Sequence, residues 1–201
     1  INRGVDFLKS KQRADGRWQE LHRETADHGD GAAILLYDPR RRTVVLLHGK
    51  NFCAATWEST IVALTGAGYR VIAPDQIGFC KSTKPNRYQF SCQQLARNTH
   101  AWLQSLGVNQ GTVLGHSTGG MLAVRYALMY PQATEQVVLV NPIGLEDWKA
   151  EGVPSLSIDQ WHERDLKTTA ERIRDYERAT YYAGQWRPEY ERWVQMLAGM
   201  Y

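Results

Sequence analysis

Gly115-His116-Ser117-Thr118-Gly119 places a serine between two glycines, each two residues away. The spacing is G-x-S-x-G, which lifts a serine hydroxyl out of a sharp strand-to-helix turn to attack a carbonyl. Such a turn strains its central residue, so a positive φ is expected at Ser117. Side chains at positions 115 and 119 would collide in so tight a bend, and Gly120 lets the following helix approach the sheet. A serine hydroxyl stays protonated near neutral pH, so the chemistry also needs a base and donors for the developing oxyanion.

Other residues of catalytic type are His48, Asp75, His116 and His162. His48 ends an apolar run and is read as a packed, hydrogen-bonded support, with general base as the alternative. His116 adjoins the nucleophile, and the turn directs it elsewhere. Asp75 opens the loop Asp75-Gln76-Ile77-Gly78-Phe79-Cys80-Lys81-Ser82, where a carboxylate is expected to hold backbone amides; a catalytic acid is the alternative.

The elements that must position these groups alternate. Thr43–Leu47 (TVVLL) is a short continuous apolar run, the pattern of a strand buried on both faces. A helix is expected over residues 56–67, a strand over 70–73, a helix over 92–106, a strand over 112–114, a helix over 119–130 and a strand over 137–140. Residues 32–37 suit an outer strand. Strand–helix alternation predicts a parallel sheet covered by helices on both faces, with ligands at the carboxyl ends of the strands. The chain divides into residues 1–30, polar and charged; 31–146, the alternating core; and 147–201, helical, charged and rich in Trp and Tyr. The stretch 168–182 suits an amphipathic helix, and the third segment's aromatics, from Trp161 to Trp193, either line an apolar pocket or pack the segment onto the core.

The 201 residues suffice for a sizeable core, and 43% apolar with 22% charged residues describes a globular chain. A net charge of +3 gives no case for nucleic acid, and Arg40-Arg41-Arg42 reads as a solvated turn. No apolar run is long enough to span a membrane. Cys53, Cys80 and Cys92 are odd in number and fit no zinc or redox spacing. They are read as reduced thiols, which favours a cytoplasmic location. The chain starts at Ile1, so a leader ahead of it stays open.

From about residue 43 onward the motifs HGKNF, DQIGFCKS, GHSTGG and NPIGLEDW resemble the α/β-hydrolase superfamily, in its serine-nucleophile branch with a helical cap. The resemblance implies a partial α/β-hydrolase core followed by the start of a helical lid. It implies Ser117 as nucleophile and an oxyanion hole from the Thr118 amide and that of Lys50 or Asn51. His48, Gly49, Gly115, His116 and Gly119 would support them. The implied chemistry is acyl transfer to water on an ester-like or other carbonyl compound, a small and apolar substrate, with no metal and no organic cofactor. Asp-nucleophile chemistry, such as epoxide hydrolysis or dehalogenation, is disfavoured because the elbow carries serine. The family more often has Gly at the position of Cys80 and an apolar residue at that of Thr118.

In the family's chain order the acid and the base follow the nucleophile. Asn141 stands where some relatives carry the acid, and His162 falls in the expected lid. Acid and base are therefore expected beyond this chain, which reads as C-terminally truncated and inactive alone. Arg3-Gly4, Phe7-Leu8, Gln12, Gly16 and Trp18 resemble one QW repeat of triterpene cyclases, with a chance amphipathic helix as the alternative. Two rival readings stand beside the hydrolase: a non-catalytic binding protein on the same fold, and an inactive fragment or fusion.

Overall fold

The apolar run at residues 43–47 does form a strand, and all five of its residues are buried. The computed structural model describes residues 26–27, 32–36 and 42–200. The QW-like stretch lies outside them. Two compact units divide the chain, Ile1–Leu145 and Glu146–Tyr201.

In the first unit six strands make one sheet: β1 (Ala26–Asp27), β2 (Ala32–Leu36), β3 (Thr43–Leu47), β4 (Arg70–Pro74), β5 (Gly111–His116) and β6 (Thr134–Val140). Their spatial order is β1-β2-β4-β3-β5-β6. Strands β3 to β6 run parallel, as expected. The outer strands, for which the sequence sets no direction, run the other way: β1 pairs antiparallel with β2 and β2 antiparallel with β4. The physical reason is connection length. Only residues 37–42 join β2 to β3, too few for the crossover that a parallel neighbour requires. Ala26–Asp27, assigned by sequence to the N-terminal extension, contributes backbone to this sheet.

Side chains of β3 and β4 alternate between two cores. Val45, Leu47 and Ile72 join Val113, Ala96, Leu103, Leu122, Ala123 and Tyr126. Val44, Leu46, Val71 and Ala73 join Ala54 and Ile61 on the other side. Each core needs helices over it. Helix α1 (Glu58–Gly66) covers the second, preceded by a 3₁₀ turn at Ala54–Trp57 that takes the start of the expected 56–67 helix. Gly68, at φ 94°, ends it in the left-handed conformation that glycine adopts without strain. Helix α2 (Cys92–Ser105) covers the first core and presents Ala96, Thr99 and Leu103, an i, i+3, i+7 stripe. The Ser91 side chain accepts from the Gln94 N–H and caps it. Helix α3 (Thr118–Met129) lies beside α2 and buries Gly119, Gly120, Leu122, Ala123 and Tyr126. Pro131 follows the helix directly, as it cannot continue one.

The second unit holds α4 (Ile158–Leu166), α5 (Ala170–Thr180) and α6 (Glu191–Ala198). Ser157 and Gln160 form a capping box on α4, and Thr169 caps α5. Helix α5 falls within the expected 168–182 stretch. Ile173, Val194 and Leu197 are its buried centre, with Trp186 against them. Tyr182 and Tyr190 stack at 3.8 Å and meet Trp186 edge-on. These three aromatics thus pack the unit itself, while Trp161 and Tyr176 stay exposed. Among the described residues no helix is long and apolar enough to cross a membrane.

Candidate active site

Ser117 stands between β5 and α3 at φ 55° and ψ −118°, the left-handed side of backbone space that a residue with a Cβ rarely adopts. Four hydrogen bonds hold it there. Its N–H donates to the Val140 carbonyl at 3.1 Å, and its own carbonyl accepts from Gly120, Met121 and Ile143. The end of β6 and the loop after it therefore clamp both sides of the turn, so surrounding structure over-determines the strained residue.

The flanking glycines are steric requirements. A Cβ on Gly115 would overlap the Gly119 carbonyl and come within 2.7 Å of the Gly120 Cα. A Cβ on Gly119 would overlap the Leu47 carbonyl and lie 2.6 Å from that of His48. On Gly120 it would meet the Pro142 Cβ at 2.7 Å, so this glycine admits the loop after β6. All of these obstacles except the Pro142 Cβ are backbone, which cannot swing aside.

The loop after β3 touches the turn at Ser117. A Cβ on Gly49 would sit 3.0 Å from the Ser117 Cβ. Phe52 N–H donates to the Gly49 carbonyl at 3.2 Å and closes a turn over Lys50 and Asn51, with Asn51 at φ 69°. Lys50 is exposed, and Ser117 and Thr118 are partly exposed. The structure thus brings Ser117, Thr118 and the Lys50–Asn51 turn to the carboxyl ends of adjacent strands β3 and β5.

His48 is buried, with both ring nitrogens engaged. Nε2 accepts from the Gln76 N–H at 2.9 Å, which leaves Nδ1 to carry the proton and donate to the Gly49 carbonyl at 2.9 Å. Burial holds its pKa below the usual histidine value, against the opposing pull of the Gly49 carbonyl and of Asp75. Phe79 meets the ring edge-on at 5.1 Å. His116 lies edge-on to Phe52 and Trp57, and burial lowers its pKa too. His100, on α2, stacks on Tyr130 at 3.8 Å with Nδ1 3.1 Å from the Tyr126 hydroxyl. His162 is exposed in the second unit.

Asp75 reaches further than its own loop. One oxygen accepts from Lys81 N–H at 3.3 Å; the other accepts from Ala54 N–H at 2.7 Å, across to the β3 loop. Its carbonyl accepts from the Ser82 hydroxyl at 2.6 Å. Asp75 and Gln76 together tie the β4 loop to the β3 loop and its histidine. The Gln76 contact was not anticipated from sequence, because a backbone N–H carries no residue-specific signal. Among the described residues one group has metal-ligating character: Cys53, Asp75 and Cys80 lie within 4.8 Å of one another.

A largely parallel sheet with helices on both faces, carrying a strained serine between a strand and a helix, defines an α/β fold. A profile of the alpha/beta hydrolase fold matches residues 42–193, well over half of the chain, and the chain belongs to that family. It is 36% identical over 105 residues to the 2-hydroxy-6-oxo-6-phenylhexa-2,4-dienoate hydrolase of Burkholderia cepacia, covering 51% of this chain and 37% of that one. It is 34% identical over 99 residues to bifunctional epoxide hydrolase 2 of Sus scrofa, covering 49% and 18%. The crystal structure of a probable hydrolytic enzyme from Pseudomonas aeruginosa PAO1 matches with a TM-score of 0.80 and 60% identity, over 89% of this chain and 59% of that one. The chain spans less than two thirds of the length of each of these relatives.

Proposed function

We propose that this chain carries the nucleophile and oxyanion half of a serine hydrolase. The observation that carries the reading is Ser117 at positive φ on a strand-to-helix turn, in contact with Gly49. Ser117 Oγ attacks a carbonyl carbon, and the amides of Thr118 and of Lys50 or Asn51 hold the oxyanion. Collapse expels the leaving group, and water then releases the acyl-enzyme. The substrate is a small, largely apolar carbonyl compound, with no metal or organic cofactor taking part. The name of the Burkholderia cepacia relative specifies an oxo-dienoate, a substrate of this kind. Epoxide hydrolase and haloalkane dehalogenase relatives widen the range of neighbouring chemistries, but a serine at the elbow favours carbonyl attack.

The base is proposed to lie outside these 201 residues. His48 is committed through both nitrogens, His100 is held by Tyr126 and Tyr130, and His116 is packed beside Phe52 and Trp57. The second unit is proposed as the start of a lid, and the protein as cytoplasmic. The test is steady-state hydrolysis of an activated aryl ester by the chain as it stands, by a version extended through its gene, and by Ser117→Ala in each. Strong Ser117-dependent turnover is expected only in the extended protein. The short chain should retain no more than the roughly 10³–10⁴-fold acceleration that an oxyanion hole and binding give without a triad. Full turnover by the short chain would place a base within it. An extended protein indifferent to Ser117→Ala would overturn the serine mechanism.

A further inference from the structure

Two cysteines 27 positions apart in sequence meet between the β3 loop and the β4 turn. Cys53 closes the β3 loop, just before the 3₁₀ turn, and is 1% exposed. Cys80 sits in the tight turn after β4 and is partly exposed. Their sulfurs and an Asp75 oxygen lie within 4.8 Å of one another. We propose that Cys53 and Cys80 are a disulfide-forming pair, closed by exchange with a small-molecule disulfide into a covalent strap between the β3 loop and the β4 turn.

The backbone is already arranged for it. The residue after Cys53 and the residue after Cys80 both donate their N–H to the same carboxylate, that of Asp75. Phe79 and Ser82 bracket Cys80 with a further hydrogen bond at 2.9 Å, and Thr56 N–H donates to the Cys53 carbonyl at 3.1 Å. The two chain segments are thus fixed close together whatever the state of the thiols, and a disulfide asks for that proximity. A second observation concerns Cys80 itself. It adopts φ 41°, a conformation that glycine takes without strain and a cysteine does not. The chain keeps a Cβ and a sulfur there, and the sulfur faces Cys53.

The exchange balances without any other redox partner. The more exposed Cys80, as thiolate, attacks one sulfur of oxidised glutathione and releases one glutathione thiolate. Cys53 loses its proton to solvent base, attacks the Cys80 sulfur and releases the second. Two protein thiols are oxidised and one glutathione disulfide is reduced. Burial, with the negative charge of Asp75 beside it, pushes the Cys53 thiol up to about 12. The second step is therefore the slow one, and closure should accelerate as pH rises above neutrality.

The experiment incubates the folded 201-residue chain with oxidised glutathione in the absence of denaturant. The product is then unfolded, alkylated and peptide-mapped. The expected result is a mass loss of two hydrogens, a peptide linking residues 53 and 80, and alkylation at Cys92 alone. The thermal midpoint should rise by roughly 4–10 °C. Cys92→Ser should form the same link, whereas Cys53→Ser and Cys80→Ser should lose both the link and the midpoint shift. A link through Cys92, alkylation of both Cys53 and Cys80 after oxidation, or arrest as a glutathione adduct on Cys80 would each overturn the proposal. Should a serine variant at 53 or 80 fail to fold, the map of the unsubstituted chain and of Cys92→Ser decides alone.

Discussion

The two units of this chain are stabilised in different ways. The first buries two continuous cores on opposite faces of one sheet, and Leu46, Leu47 and Ile72 are fully enclosed. The second buries three apolar side chains, Ile173, Val194 and Leu197. It relies more on groups at its surface: the Ser157–Gln160 box, the Thr169 cap, and the Arg174–Glu191 pair in which both carboxylate oxygens accept from one guanidinium. It even encloses a carboxyl, Glu177, at 3% exposure. A sheet packed on both sides has many partners for each residue, whereas three short helices have few. The first unit can therefore hold the strained turn at Ser117, and the second should respond to smaller perturbations.

The sharpest test of this contrast is truncation in each core. Leu46→Ala removes a side chain with no exposure, in strand β3. It should cost toward the upper end of the about 2–5 kcal/mol range, because a sheet cannot collapse around the void. Leu197→Ala, in α6, should fall near the lower end, because short helices can shift inward. Hydrogen exchange reads the two separately, through the amides of residues 43–47 and of 170–180. Equal losses in both segments would erase the distinction.

A pH titration sharpens it further. Burial, with the nearby Glu191 charge, raises Glu177 to about 7 from 4.5. Tyr181 and Tyr182 lie close enough to feel its charge, and Arg174 is engaged by Glu191. Between these two values the folded unit keeps its proton while the unfolded chain has lost it. The folded state then binds more protons, so stability falls as pH rises from about 4.5 to about 7 and is level above that. Exchange protection of α5 should decline over this window, while that of β3 is unaffected by this group. Glu177→Gln should flatten the decline and raise protection at pH 8, because the amide leaves no charge to bury beside Glu191. A pH-independent α5 would show that the carboxyl is solvated.

What the sequence disclosed was local. Strand β3 was legible because an unbroken Val/Leu run has few other uses, and the turn at Ser117 because two glycines and a serine at fixed spacing meet a steric demand. The antiparallel side of the sheet was not, since it depends on how few residues join β2 to β3. Nor was the Cys53–Cys80 meeting: an odd cysteine count and a 27-residue interval are uninformative until β3 and β4 are known to be neighbours. Asp75 was read correctly as an amide holder, but its bond to Ala54 crosses between loops and leaves no local trace. Glu177 was hidden because a charged residue on a polar helix looks solvated, although it falls four positions after the buried Ile173.

The smallest expected effect tests whether strain is held differently in the two units. Ser117 and Ala183 are both non-glycine residues at positive φ, 55° and 50°. Glycine adopts that region without its Cβ meeting the neighbouring carbonyl, so Ser117→Gly and Ala183→Gly should each relieve strain of about 1–2 kcal/mol. Part of that gain is lost because glycine also loosens the unfolded chain. At Ser117 the turn is fixed by hydrogen bonds to Val140, Gly120, Met121 and Ile143, so it cannot relax and the strain is fully present; the net should be a gain of roughly 1 kcal/mol by denaturant unfolding. At Ala183 the chain lies in an exposed turn, followed by Gly184 at φ 80°. There it can adjust its dihedrals, so the net should be near zero. A larger gain at Ala183 than at Ser117 would show that the elbow is not where this chain stores strain, and would reverse the contrast between a unit rigid enough to hold a strained serine and one that is not.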